Sequence, residues 1–331
     1  MSNREQRTQK DDLRRFRSLF RVGYGREALD IACSLLDIPC SQVTRFGTIA
    51  LAGKPNAGKS TLLNALVGEE LAITSPRPQT TRLPVMGLRT EGDVQLLFVD
   101  PAGLLDPEYL LQHAMRDEAV RVLQHADGIL YLVPADDREV PPLASLVGGP
   151  LPANVPQLLL RTKADVTDLR NGTAGANQLH VSARTGTGIP EVLAWCAARA
   201  QPGPFRYDAD DLSTQPTRFF VAEFVREAAF ACLGDELPYA LATEVDEFRE
   251  GSSPLYIRVT LYVERDSQKG MVVGRGGRML KRIGTQARRR TETFLQQPVY
   301  LDLWVKTLPK WRSQPGTLRR LGFQPPSENP P

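Results

Sequence analysis

Between Phe46 and Arg199 the chain alternates two kinds of segment. Short apolar runs (Phe46–Ala52, Val85–Arg89, Val94–Val99, Gly128–Val133, Val155–Leu160 and Gln178–Val181) are separated by stretches of helical period. Those stretches include Leu62–Leu66, Glu108–Gln124 and Ile189–Arg199, the last with Pro190 in its first turn. Glu91-Gly92-Asp93 is a turn signal between the second and third runs, and Thr74–Pro84 is a polar, Pro-containing loop. Short apolar runs separated by helices predict βαβ units and a mainly parallel sheet, with ligands at the carboxyl ends of its strands.

The pattern changes after residue 200. Residues 201–216 (QPGPFRYDADDLSTQP) are Pro-rich and polar and read as a linker. A helical period over Phe219–Leu233 precedes strand character at Ala240–Phe248 and strict alternation over Leu255–Val263. A Gly-rich element, a basic helix to Leu295 and a strand at Val299–Val305 complete an αββααβ order, a smaller α+β domain over 217–323. Ahead of both domains, 1–45 reads as a helical extension. Leu13, Phe16, Leu19 and Phe20 share one face and Ala28, Leu29, Ala32, Leu35 and Leu36 another, with Gly23 and Gly25 between. Residues 324–331 are expected to be a disordered tail, and no internal repeat is visible.

A length of 331 residues suits two domains of about 150 residues each. No run of about 18 apolar residues is present to span a bilayer. The first residues lack an apolar signal core, and Glu5, Asp11 and Asp12 argue against a mitochondrial presequence. Cys33, Cys40, Cys196 and Cys232 lack zinc-ligand spacing, so free thiols in the cytoplasm are expected. The net charge of +3 conceals an asymmetry: residues 269–331 carry 13 basic and 3 acidic side chains, residues 201–268 carry 6 and 13. A basic C-terminal segment beside an acidic one points to a polyanionic partner at one surface.

GKPNAGKST, Gly53 to Thr61, lies between an apolar run and a helix pattern, the context of a phosphate-binding loop. Gly53 and Gly58 allow the backbone to approach phosphates, and the N–H groups of this loop, through Asn56 and Ala57 to Thr61, form an anion cradle. Lys59 would reach the β- and γ-phosphates and the Ser60 hydroxyl would ligand Mg²⁺. Asp100 ends an apolar run and opens DPAG, where a carboxylate holds Mg²⁺ through water and the Gly103 N–H faces a γ-phosphate. TKAD, Thr162 to Asp165, follows another strand. Its Asp165 can accept from the N1–H and N2–H₂ of guanine while the Lys163 stem covers the ring; adenine lacks that donor pair. SARTG, Ser182 to Gly186, would offer the Ala183 N–H to guanine O6.

These motifs, with ITSPRPQTTR, RTEGDVQLLFVD and LGDELPYA, resemble the Era GTPases from about Phe46 to Phe323. The resemblance implies an α/β P-loop NTPase of Ras-like type over 46–200, followed by a type II KH domain. It makes Thr80 or Thr81 of QTTR the switch threonine that ligands Mg²⁺, and gives Asn56 a potassium ion to hold. Leu104 stands where Ras-like enzymes carry the water-orienting Gln, so hydrolysis would rest on positioned water and cations. Two departures concern the switch and the base site. Pro101 and Ala102 replace the family's Thr and Pro, stiffening the switch entry, and Thr162 replaces the usual Asn.

KGMVVGRGGRMLKRIGTQARRR, Lys269 to Arg290, has eight basic residues and no acidic one. Its Gly274-Arg275-Gly276-Gly277 resembles the GxxG loop with which KH domains clamp about four nucleotides. Lys269, Arg275, Arg278 and Lys281 would supply charge, and Met271, Val272, Val273 and Ile283 form either a base groove or plain core. The resemblance implies a monomeric GTPase that binds GTP and GDP with Mg²⁺ and K⁺, and binds small-subunit ribosomal RNA on the small ribosomal subunit, assisting its assembly. Peripheral membrane contact also follows from the resemblance alone. The alternative is a non-hydrolysing nucleotide-binding RNA scaffold whose switch Pro101 has frozen.

Overall fold

The computed structural model describes residues 43–75, 77, 79–148, 151, 155–166, 177–234 and 236–326. The expected N-terminal helices, most of the segment between Asp165 and Ser182, and the end of the expected tail lie outside the described residues.

The first domain is built on a sheet of seven strands. Its main path runs β2 (Val85–Glu91), β3 (Val94–Asp100), β1 (Arg45–Ala52), β4 (Gly128–Pro134), β5 (Gln157–Thr162), β6 (Gln178–His180). Only β2 on this path is antiparallel, folded back on β3 through the turn at Gly92. Strand order reverses around β1, so the loops leaving β1 and β3 open a crevice at their carboxyl ends. The apolar runs are continuous because both faces are covered. Ile49 and Leu51 face α1 (Lys59–Val67) and α4 (Ile189–Ala197), in a core with Leu62, Leu66 and Val192. Ala50 and Ala52 face α2 (Leu110–Gln124) and α3 (Leu143–Val147), in a core with Ala119, Leu123 and Val147. Each fully buried Leu in these layers contributes about 1.5–3 kcal/mol over an exposed one.

The second domain follows the expected αββααβ order: α5 (Thr217–Cys232), β8 (Ala242–Arg249), β9 (Leu255–Val263), α6 (Asp266–Val273), α7 (Arg278–Leu295), β10 (Val299–Thr307). Its sheet has order β10-β9-β8, with β9 and β10 parallel and β8 antiparallel. Three helices cover one face, where Val225, Ala229, Ile283 and Ala287 meet Ile257, Val259 and Leu261. On the other face Ala242 and Tyr262 pack with Trp311, Leu318, Phe323 and the α2 residues Leu111, Ala114 and Met115. The helix α8 (Pro315–Arg320), which supplies Leu318, and α3 carry no long periodic pattern and were not expected.

Two features join the domains. Helix α5 divides its faces: Phe220 and Phe224 enter the first domain's core with Phe294 of α7, ring centroids 5.1 and 5.3 Å away, while Val221 and Val225 serve the second. The linker is also strapped down. Gln201–Pro202 forms a short strand, β7, against β1. Gln95 accepts from the Arg206 and Tyr207 N–H groups and donates to the Tyr207 carbonyl. Farther along, Leu88 N–H donates to the Leu212 carbonyl, and Gln215 bridges Pro84 and Met86. The polar, Pro-rich segment expected to be a linker has its polar groups engaged along β2 and β3.

Candidate functional site

The loop after β1 turns through left-handed conformations at Asn56 (φ 63°) and Gly58 (φ 92°) before α1 begins at Lys59. A Cβ at Gly53 would stand 2.6 Å from the Leu132 carbonyl oxygen, so the loop sits against β4 only because that position is glycine. Gly103 packs likewise on the phosphate loop, where a Cβ would meet the Pro55 nitrogen at 2.7 Å. The Leu104 N–H donates to the Gly53 carbonyl (3.1 Å). Thus the segment after β3 is docked onto the loop after β1. A cleft of about 560 Å³ opens there, bordered by Asn56, Lys59, Ser60, Thr61, Thr81 and Lys163.

Polar groups converge at its floor. Ser60 Oγ donates to Asp100 Oδ2 (2.6 Å) and lies 3.0 Å from Thr81 Oγ1, which is 3.5 Å from the same carboxylate oxygen. The neighbouring Thr80 is directed elsewhere, its hydroxyl donating to the Arg77 carbonyl (2.8 Å). Asp100 is fully buried, and its Oδ1 has no hydrogen-bond partner among the described residues. Burial raises the Asp100 pKa above its ordinary value, opposed by Lys59 and by the Ser60 and Thr81 hydroxyls. Burial lowers that of Lys59, opposed by Asp100. Lys59 Nζ meanwhile contacts the Gly53 and Lys54 carbonyls at 3.4 and 3.3 Å. A buried carboxylate oxygen without a partner, two hydroxyls and a nearby ammonium suit a hard divalent cation beside phosphate. Leu104 is buried in the α2 core, so no side chain just after Gly103 offers a general base.

The base end of the cleft is formed by the loops after β5 and β6. Thr162 Oγ1 donates to the Ala57 carbonyl (2.7 Å), tying the two ends of the cleft together. Lys163 adopts φ 58° and borders the cleft. Asp165 accepts from Ser182 (2.7 Å) and, through its other oxygen, from Arg184, whose Nε lies at 3.0 Å. Those two hydrogen bonds, Ser182 first, hold its carboxyl below the ordinary value. Ala183 is half-buried beside Ser182. Arg184 was not singled out from sequence, since nothing local indicates that it reaches Asp165.

The Gly-rich turn of the second domain joins α6 to α7. Gly274, Gly276 and Gly277 all have positive φ, and a Cβ at Gly274 would stand 2.6 Å from the Met279 Cβ. Nothing lies within 4 Å of a Cβ at Gly276 or Gly277, so a phosphodiester can approach that backbone. Lys269, Arg275, Arg278 and Lys281 are all exposed around it. Val272 and Ile283 prove to be fully buried core and Met271 is exposed. An open cleft beside the turn is instead bordered by Leu280, Lys281, Gly284, Arg288, Leu301 and Leu303. Gly284 keeps this cleft open, a Cβ there approaching Leu303 at 3.3 Å. Helical pattern alone could not separate Leu280 from Ile283 without the position of β10. Among the described residues no helix is long and apolar enough to cross a membrane.

Comparison with known proteins gives two family profiles in the same order, "50S ribosome-binding GTPase" over residues 48–163 and "KH domain" over 236–312. The GTPase Era of Carboxydothermus hydrogenoformans is 35% identical over 291 residues, spanning 84% of this chain and 98% of that protein. That of Mycobacterium tuberculosis is 39% identical over 294 residues, with the same coverage. Two solved structures are similar throughout. An Aquifex aeolicus Era variant bound to GDP and AlF4⁻ is 31% identical, with a TM-score of 0.78 over 85% of this chain and all of that one. An Era complex with MgGDPNP and nucleotides 1506–1542 of 16S ribosomal RNA is also 31% identical, with a TM-score of 0.77 over 85% of this chain and 99% of that one.

Proposed function

The chain belongs to the Era family of GTPases, GTP hydrolases with a KH domain, and from that premise we propose that it is a nucleotide-timed chaperone of small-subunit ribosomal RNA in the cytoplasm. GTP binding favours an RNA-competent arrangement of the two domains, and hydrolysis to GDP and phosphate favours release.

In this reading the phosphate loop from Gly53 to Thr61 cradles the phosphates and Lys59 places its ammonium against the β- and γ-oxygens. Ser60 and Thr81 would hold Mg²⁺ directly, with Asp100 acting through water. The Thr81 assignment, in preference to Thr80, is supported by its 3.0 Å approach to Ser60. The metal supplies Lewis-acid polarisation and charge neutralisation at the phosphates. Asn56, at the mouth of the cleft, would supply an oxygen to K⁺, and the Gly103 N–H would receive the γ-phosphate. Asp165, Lys163, Ser182 and Ala183 read guanine. The turn from Gly274 to Gly277 with Lys269, Arg275, Arg278 and Lys281 clamps the RNA backbone.

One observation carries the coupling. Arg82, next to Thr81, is buried and donates to the carbonyls of Leu241 (2.5 Å), Pro238 (3.1 Å) and Tyr239 (3.0 Å), in the turn that opens the KH domain. A switch segment whose next residue is anchored in the RNA-binding domain cannot move alone. By linkage, if RNA tightens GTP binding, GTP tightens RNA binding by the same factor. The test is the GTP affinity of the full chain with and without the 16S fragment 1506–1542 found with its structural neighbour. Tighter GTP binding with RNA, and phosphate release faster in K⁺ than in Na⁺, are expected. Equal GTP affinity in both conditions would refute the timing scheme.

A further inference from the structure

The outer face of the KH sheet carries a feature that the clamp does not use. Tyr300 and Trp304 are 59% and 51% exposed, the only two aromatic side chains among the exposed large apolar ones of the described residues. Both lie on β10, the edge strand of its sheet. Alternation along that strand sends Leu301 and Leu303 into the cleft beside the Gly-rich turn and Tyr300 and Trp304 to the opposite face. The two rings therefore begin where the cleft ends, separated from it by the thickness of one strand.

The rings are held in place. Tyr300 stacks on Tyr256 at 5.8 Å and 13°, directly across the β9–β10 ladder. Trp304 Nε1 donates to Asp302 (3.0 Å), which also accepts from Tyr256 and Arg258. The charges around them pair off, Arg258 with Asp302 and Glu247, Arg249 with Glu247, Lys306 with Asp246. The patch thus offers fixed π-faces and no surplus charge. Basic side chains line the cleft on one side of β10; stacking surface lies on the other.

We propose that Tyr300 and Trp304 form a second subsite for single-stranded RNA, on which bases stack after the strand leaves the KH cleft and passes over the free edge of β10. The subsite rests on the RNA-binding reading above and extends it. Because a KH clamp holds about four nucleotides, only longer strands reach these rings. Each base–aromatic stack tightens binding by about tenfold. Neutrality gives the subsite a signature. Clamp contacts to phosphate make affinity fall with salt, whereas stacking adds affinity without adding to that slope.

The experiment measures fluorescence anisotropy of the 16S fragment 1506–1542 and of nested truncations of it, binding to the full chain and to the Tyr300→Ala/Trp304→Ala double variant over a range of salt. The wild type is expected to gain affinity as fragments lengthen beyond the clamp. The double variant should lose that gain, keep its affinity for the shortest fragment and keep the salt slope. Trp304→Phe should retain most of the gain and also guards against a folding defect, as do the high exposures of both rings. Tryptophan emission should be quenched by long fragments only. Equal length dependence in the wild type and double variant, an equal loss for all lengths, or a ring-dependent dimer in sedimentation would each overturn the subsite. A wild type that binds no fragment at all would instead remove the RNA reading on which it rests.

Discussion

At the scale of single residues the decisive group is Asp100, a fully buried carboxylate with one oxygen unpartnered. Its folded pKa is raised by burial, the reverse of the usual aspartate case. A raised carboxyl pKa contributes stability to the metal-free fold that is fully present below the unfolded aspartate pKa and is lost as pH rises through the folded one. A proton therefore competes with Mg²⁺ for this site above the ordinary aspartate range. Mg²⁺ affinity of the GDP complex, referenced to free GDP and measured by calorimetry, should weaken on acidification by up to about tenfold per pH unit, beginning before the ordinary aspartate range is reached. Affinity that tracks free GDP down to about pH 4 would contradict it. The adjacent threonines give a second test, since only Thr81 faces Ser60 and Asp100. Thr81→Ala should lower GTP hydrolysis by about a hundredfold, the scale of a lost transition-state contact. Thr80→Ala, which loses a hydrogen bond to the Arg77 carbonyl, should keep hydrolysis within a fewfold and lose about 1 kcal/mol of stability. Phosphate release by the two variants decides between them.

Among elements, the first part of the strap from Gly203 to Gln215 is held by one side chain of β3, while Leu212 and Gln215 hold its far end on β2. Gln95 is fully buried and satisfies both the Arg206 and Tyr207 N–H groups and the Tyr207 carbonyl. Gln95→Leu would leave these backbone groups unpaired, at a cost of about 2–4 kcal/mol in urea unfolding. Hydrogen exchange should accelerate in 203–216 and little elsewhere; unchanged exchange there would mean the strap is held by other contacts. Nothing in the apolar pattern of Val94–Val99 announced this role, because Gln95 sits in a strand and its partners lie more than 100 residues on. By contrast, the candidate phosphate loop, Asp100 and the TKAD and SARTG segments could be singled out from sequence, since neighbouring residues in the chain create each local geometry, and the structure brings them to one cleft. The αββααβ order was legible for the same reason: Leu255–Val263 spans its strand end to end. What could not be read was set by tertiary partners. Thr81 is distinguished from Thr80 by where Asp100 stands, Arg184 reaches back to Asp165, and the cleft beside the Gly-rich turn takes Leu280 because β10 packs beside it.

Across the whole molecule, both segments that respond to the γ-phosphate in a G domain are packed on the RNA-binding domain. Ala102 and α2 share a core with Tyr262, Trp311 and Phe323. On the other side, Arg82 follows Thr81 into the KH domain and Arg77 donates to the Leu233 carbonyl (2.8 Å). Helix α7 starts at the Gly-rich turn, and its Arg290 pairs with Glu70 just beyond α1, so one helix joins the proposed RNA clamp to the G domain. Arg82 is the tightest of these ties. Burial and the nearby Arg226 lower its pKa, yet three carbonyls and the ring faces of Phe230 and Trp311 keep it a charged, fully engaged donor at neutral pH. Arg82→Met retains packing volume but leaves the carbonyls without their donor, and should lower stability by about 3 kcal/mol. Its sharper effect is on coupling. If the wild type shows GTP and RNA tightening one another within the usual 5- to 150-fold range, Arg82→Met should bring that factor close to one. Its GTP affinity without RNA, and RNA affinity without nucleotide, should stay near wild type. Undiminished coupling in the variant would move the path to the Ala102 side, where α2 meets Trp311. Loss of nucleotide binding itself would show that Arg82 shapes the switch rather than transmitting its state.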